Sequence, residues 1–550
     1  MRRLVATWFV LGACSSAGPQ RVGAEPSWRK GGAHAMAAAG PVTFAPASEP
    51  VARYNEAPRS APSTPLHDAV IAAVRDAAIH ANVQVPVADA RLFRACAELA
   101  AIVPEEGVIG YALVEFALQR NGIIEPSPHL LVVWGDVDSP QLIVEQLQPR
   151  LAEILGDGAT ARLGIGAAKR NPDGTGAVVF ALQGSGVETL PIPRVVGAGA
   201  SIAIDAVVDP RYRDPELFVT REDGATQRLD LRPGRPNGFT SQVACGAHKG
   251  RQQIEITASD ASGSTVLANF PVWCASEPPA SVTVDPRHDD IAATSPADAE
   301  HRLLADVNRD RVAAGLPALL WDDRLADVAR GHSDEMRRTH VVAHISPTTG
   351  SAADRVRVAK IRTAVVLENV ARAYGVTEAH DGLMNSPGHR ANLMSSAATH
   401  IGIGVVFGDE VSGRREMFVT QVFTRTPPAL DPAKASASVR QKLATVRPAL
   451  RLPPKLGELA QRLADSLATG HSREEAYATI KSQVDGLGRS YQRVGSVITA
   501  TADLETLEGK GLLGDSSAED AGVGIAQGPH PEIGENAIWV VVLLASRRTQ

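Results

Sequence analysis

The segment MNSPGHRANLM, Met384 to Met394, starts the way a helix starts. Ser386 is a side chain suited to the cap, and Pro387 is suited to the first helical position, where a missing N–H costs nothing. His389 then falls in the first turn. The positive end of the helix disfavours a protonated imidazole there. A neutral imidazole at pH 7 is what a metal site or a general base requires.

Working outward, AHISP (Ala343 to Pro347) places His344 in a loop bounded by Pro347 and Gly350. Site residues concentrate on loops held by a rigid scaffold. LENVA (Leu367 to Ala371) brings a carboxylate, Glu368, and an amide, Asn369. IGIGVVFG (Ile401 to Gly408) and FVTQVF (Phe418 to Phe423) read as the two strands of a hairpin. Asp322 can cap a helix whose Leu325, Val328, Ala329, His332 and Met336 share one stripe. His332 therefore reads as a half-buried packing residue.

In order and spacing these pieces resemble the bacterial branch of the CAP superfamily, the SCP-like family of cysteine-rich secretory, antigen-five and pathogenesis-related proteins. The resemblance covers Ala297 to Arg425. It implies an α+β fold, an α-β-α sandwich, with His344, Glu368 and His389 lining one cleft and Asn369 as a structural amide. It also implies an extracellular role in binding sterols, fatty acids, divalent metals or other proteins. Two imidazoles and one carboxylate match the set zinc accepts when one position stays open for water. The expected metal ligands are then His344, His389 and Glu368, and a bound metal would acidify that water. Without metal, a histidine and a glutamate could share a proton. The chain departs from the family in three places. Phe418 and Val419 precede Thr420-Gln421 where many eukaryotic members carry a histidine. No carboxylate lies between Ile345 and Gly350, and Asp354 is the candidate substitute. Leu383 stands where bacterial relatives commonly have Trp. The incomplete set favours binding over catalysis and leaves the catalytic residues unknown.

The chain holds 550 residues, enough for several domains. With 44% hydrophobic but only 4% aromatic residues, aliphatic side chains must fill the cores. A net charge of −6 argues against a nucleic-acid surface. No apolar run approaches the about 20 residues a spanning helix needs. No nucleophile elbow, P-loop, HExxH or zinc-ribbon pattern occurs, and Gly514-Asp515-Ser516 lies in a polar loop without a histidine partner.

Residues 1–14 read as a lipoprotein-type export signal. Arg2 and Arg3 precede an apolar run, and Leu11-Gly12-Ala13-Cys14 looks like a lipobox with Cys14 lipidated, an anchor needing no membrane helix. Cys245 and Cys274 then remain as a possible disulfide in an oxidising compartment. Cys96, on a helical apolar face, reads as a buried small hydrophobe.

The expected order is a disordered tether over 15–65, a diverged CAP-like domain over 66–190, an immunoglobulin-like β-sandwich over 191–276, and a linker over 277–296. The CAP domain follows at 297–426, then a linker at 427–436 and a second diverged CAP-like domain at 437–550. The triplication rests on a repeated pattern. Early amphipathic helices at Ala90 to Ala101, Asp322 to Arg338 and Lys455 to Ala468 each precede a hairpin with paired glycines, at Gly164/Gly166, Gly402/Gly404 and Gly522/Gly524. The flanking copies carry no His-Glu-His series. Glu125 and His129 lie in a Pro-rich loop, and His471 and Glu474 at a helix start capped by Ser472. Three functions fit: a binding protein for lipid, divalent metal or protein ligands; a metal-assisted hydrolase using His344, His389 and Glu368; or an envelope scaffold.

Overall fold

A computed structural model of the chain describes residues 42–56, 63–103, 110–155, 161–246, 249–284, 292–361, 363, 365–411, 414–426, 429–514 and 517–548. The export signal, Cys14 and the Asp515-Ser516 pair lie outside these residues. The chain divides into two compact units. One takes the described residues through 352 with 367–395 and 402–422, and the other takes 353–366, 396–401 and the described residues from 423 onward. No helix among the described residues is long and apolar enough to cross a membrane.

The architecture is mixed α+β, and one strand order recurs in it. At the start of the first unit, the sheet runs Val87–Ala88, Arg162–Lys169, Thr175–Gln183, His129–Asp136. In chain order that is first, third, fourth, second. In the central domain Leu320–Trp321, His400–Val411, Arg414–Thr424 and Val366–Ala373 follow the same order. In the second unit Asp520–His530, Gly534–Arg547 and Tyr491–Thr501 repeat it, with a parallel bridge from Arg451 to Asp520 in the place of the short first strand.

The fourth strand in each case is apolar on both faces. Along Thr175–Gln183, Val178, Phe180 and Leu182 join one core with Ile143 and Leu147, while Ala177, Val179 and Ala181 join another with Leu92 and Leu99. Along Gly534–Arg547, Val540, Val542 and Leu544 pack with Val439 and Leu443, and Val541 and Leu543 with Leu459 and Leu463. Side chains alternate across a strand, so a continuous apolar run means helices cover both faces.

The paired glycines explain how the early helix lies so close. A Cβ at Gly402 or Gly404 would overlap the backbone of Leu325–Ala326 or Ala329–Arg330 in helix Asp323–Thr339. Gly164 and Gly166 meet helix Ala90–Ala100 in the same way, and Gly522 and Gly524 meet helix Pro454–Ala468.

Between the first two of these sheets, two others share a single core. One runs Arg232–Pro233, Gly238–Ala244, Ser201–Val208, Val187–Thr189. The other runs Thr226–Leu229, Arg213–Thr220, Gly250–Asp260, Gly263–Cys274, Val195–Val196. Ile202, Ile204 and Phe239 from the first meet Leu217, Ile256 and Phe270 from the second. Cys245 and Cys274 are joined in a disulfide with Cα atoms 5.5 Å apart. Cys96 is buried and unbridged, and burial pushes its thiol pKa up.

Three expectations about connecting segments fail. The tether expected over 15–65 contains strands Val42–Phe44 and Arg53–Tyr54. Tyr54 is fully buried, donates to Pro271 O at 2.7 Å and packs its ring on Phe270. The linker expected over 277–296 contains Val282–Val284, which pairs antiparallel with Val42–Phe44. Both are short runs of β-branched and aromatic residues inside Pro-rich sequence, so composition hides them. The linker at 427–436 is shortened because helix Pro432–Val446 starts inside it, capped by Asp431.

Candidate functional site

The helix Asp323–Thr339 ends at His340, which takes the left-handed conformation at φ 54° and turns the chain toward His344. His332, fully buried, bonds Ala343 O through Nε2 at 2.8 Å and so fixes the residue before His344. Ser346 donates to Glu335 Oε1 at 2.6 Å and closes the loop behind it. Glu368 lies on strand Val366–Ala373, with no exposed surface. His389 sits in the first turn of helix Pro387–Leu393.

These three side chains come together. His344 Nδ1 lies 2.9 Å from Glu368 Oε1, and the His344 and His389 ring centres are 6.4 Å apart. All three are buried. The amides hold the frame. Asn369 donates to His389 O at 3.2 Å and to Gln421 Oε1 at 3.1 Å. Asn392 donates to Glu368 O at 3.0 Å and to Asn369 Oδ1 at 2.9 Å. These amide bonds tie the strand of Glu368 to the helix of His389.

Burial, with the neighbouring His344 second, holds the His389 pKa well below its ordinary value. The ring is therefore neutral at pH 7. The expected cause, the helix end, is not the dominant one. His389 Nδ1 lies 2.8 Å from Ser386 Oγ, and its buried Nε2 has no hydrogen-bond partner.

Ser386 does stand at the helix cap, but its side chain makes no capping bond. Its hydroxyl donates instead to Glu255 Oε2, and the Gly388 N–H donates to Glu255 Oε1 at 2.8 Å. Glu255 comes from strand Gly250–Asp260 of the two-sheet domain and is fully buried. Burial pushes its pKa up to about 7 against the pull of those two bonds. Three further bonds seat that domain here. Ile345 N donates to Ser262 O at 3.0 Å, Arg390 Nε to Gly224 O at 3.1 Å, and Asn269 Nδ2 to Asn385 O at 3.2 Å. The two-sheet domain thus contributes a buried carboxylate next to the cluster. In the sequence Glu255 sits between Ile254 and Ile256, which reads as the solvent face of a half-buried strand.

The three-ligand zinc set does not fit this arrangement. Glu368 Oε1 pairs with His344 Nδ1 and so orients that imidazole. Among the described residues no group of three or more His, Cys, Asp or Glu side chains is arranged to hold a metal ion.

Among the described residues the flanking domains hold no equivalent. Glu125 is buried and pairs with Arg162, and His129 opens a strand. Ser472 and Glu475 form a reciprocal capping box beside His471 and Glu474, a helix-stabilising device.

Comparison with known proteins agrees with the motif. The model for the cysteine-rich secretory protein (CAP) family matches residues 304–423. The chain is 38% identical over 107 residues to the membrane protein YlbC of Bacillus subtilis, covering 19% of this chain and 31% of that protein. It is 33% identical over 152 residues to YkwD of the same organism, covering 27% of this chain and 58% of that protein. It thus spans about a third and somewhat over half of the length of these two relatives. Among solved structures, it resembles an extracellular SCP-domain protein of Bacillus anthracis at 20% identity, covering 51% of this chain and 92% of that one, with a TM-score of 0.22. It also resembles a Staphylococcus aureus cysteine-rich secretory protein at 12% identity, covering 44% and 87%, with a TM-score of 0.21. The domain that carries His344, Glu368 and His389 is thus a CAP domain of the cysteine-rich secretory protein family.

Proposed function

We propose that this chain is an exported binding protein whose ligand is taken up at His344, Glu368 and His389. The observation that carries this reading is the buried, neutral His389 with an unpartnered Nε2, beside an imidazole already oriented by a carboxylate. A buried polar atom without a partner is rare and costly in a folded protein. A ligand that offers Nε2 a hydrogen-bond donor would remove that cost. A lipid with a hydroxyl head or a protein segment would serve.

Hydrolysis is less well supported. In a nucleophilic triad the imidazole stands between the serine and the acid. Here Ser386 stands between His389 and Glu255, so its proton is held by the carboxylate and is not passed to a base. A metal-assisted route would need the ligand set that Glu368 does not complete.

Export is supported by the N-terminal sequence and by the Cys245–Cys274 bond, which suits an oxidising compartment. The Bacillus anthracis relative is described as extracellular, and a Borrelia burgdorferi relative as an outer surface protein. Anchoring through lipidated Cys14 belongs to the same proposal. The repeated strand order and glycine pairs support reading the two flanking domains as diverged CAP-like copies. The two-sheet core fits an immunoglobulin-like sandwich.

The test is extraction of the natively purified full chain into organic solvent, followed by mass spectrometry, beside a His344→Ala His389→Ala variant. A small molecule present in the first and lost from the second is expected. Empty extracts from both would contradict the reading for a small-molecule ligand. Membrane fractionation of Cys14→Ala tests the anchor, and unchanged membrane association would contradict it.

A further inference from the structure

We propose that Glu255 is a positioning residue for the cluster: acting through Ser386, its carboxylate holds His389 as the Nδ1–H tautomer and turns the Nε2 lone pair inward.

The argument is one of donors and acceptors. The Gly388 N–H can only donate, so Glu255 Oε1 must accept. Above about pH 7 the Glu255 carboxylate is ionised and accepts at both oxygens. Ser386 therefore points its proton at Oε2, and only lone pairs of its oxygen remain for the contact with His389 Nδ1. His389 Nδ1 must then carry the proton. A neutral imidazole has one N–H, so Nε2 is left as an acceptor, and it is the atom with no partner. The carboxylate is held for this task. The two-sheet domain that carries it is tied to the same segment by Arg390 on Gly224 and by Asn269, from the neighbouring strand Gly263–Cys274, on Asn385.

This deepens the binding proposal and rests on it for its purpose, since it sets the ligand class: a group that donates to Nε2, such as a hydroxyl or an amide N–H. It differs from a plain helix-capping role for Glu255. Capping needs only an acceptor at Gly388, and Glu255→Gln keeps one. In that variant the amide oxygen must stay on the Gly388 N–H. The amide NH2 then faces Ser386 and donates to its oxygen. The Ser386 hydroxyl proton is thereby released from the carboxylate to donate to His389 Nδ1, and the tautomer is expected to shift to Nε2–H.

The experiment is NMR of isotope-labelled histidine in the full chain above neutral pH, with the His389 signal identified by its loss in His389→Gln. The wild type is expected to show the Nδ1–H pattern and Glu255→Gln the Nε2–H pattern. An Nε2–H pattern in the wild type, or the same pattern in both, overturns the proposal. Should Glu255→Gln fail to fold, Ser386→Ala carries the test. Mixed tautomers support the relay, and a single unchanged Nδ1–H form overturns it. The readout needs no ligand, so empty extracts would sink the binding proposal without touching this one.

Discussion

Glu255 Oε1 accepts the backbone N–H of Gly388 at 2.8 Å, so a strand of one domain reaches the residue next to His389 in another. The carboxylate is fully buried, and its principal partners are uncharged. Of the groups near it, Tyr111 donates to Glu115 at 2.6 Å, Glu378 acts on the same tyrosine, and Arg251 acts on Glu115. His389 is linked to it through Ser386.

That placement makes stability depend on pH. Glu255 rises from 4.5 to about 7 on folding, so the folded chain binds its proton more tightly than the unfolded chain. Its contribution is fully present below pH 4.5 and is lost as pH rises through about 7, a difference of about 3 kcal/mol. His389 acts oppositely: its depressed value gives stability present above 6.5 and lost as pH falls toward its folded value. Thermal unfolding across this range should show Glu255→Gln gaining on the wild type as pH rises. Parallel curves for the two proteins would refute the assignment.

Gly263 is at φ 104°, and an added Cβ would lie 3.0 Å from His344 Cβ. Gly263→Val should cost about 2 kcal/mol through backbone strain and overpacking. Because the clash falls on His344, the variant should also shift the histidine NMR signals of the cluster. Stability loss with those signals unmoved would show that the turn does not press on His344.

Gly404→Ala should be more severe for a single methyl group than any surface change. The new Cβ would run into the backbone of Ala329 and Arg330, which cannot rotate away as a side chain can. A loss of about 3 kcal/mol in urea unfolding is expected. A loss near zero would mean that the helix is free to shift.

Opening the Cys245–Cys274 bond releases a segment with a sequence separation of 29 and should cost about 3 kcal/mol. Unfolding with and without reductant measures this directly. The reduced form should lose the cooperative transition of the two-sheet domain first.

Much of the site was legible because motif chemistry is local. The Ser-Pro start put His389 in a first helical turn, and the glycine pairs marked a hairpin that follows an early helix. What escaped was set by contacts distant in sequence. Glu255 was not singled out because alternation along a strand cannot say what packs on its second face. Residue type alone did not reveal that Glu368 pairs with His344. Val42–Phe44 and Val282–Val284 looked like linker because each is a strand only when it finds the other.

The most direct measurement is a crystal structure of the full chain purified without denaturation. The account predicts His344 Nδ1 bonded to Glu368, and His389 Nε2 facing density that is not protein. Imidazoles turned to separate surfaces, or Nε2 satisfied by a protein acceptor with nothing bound beside it, would contradict it.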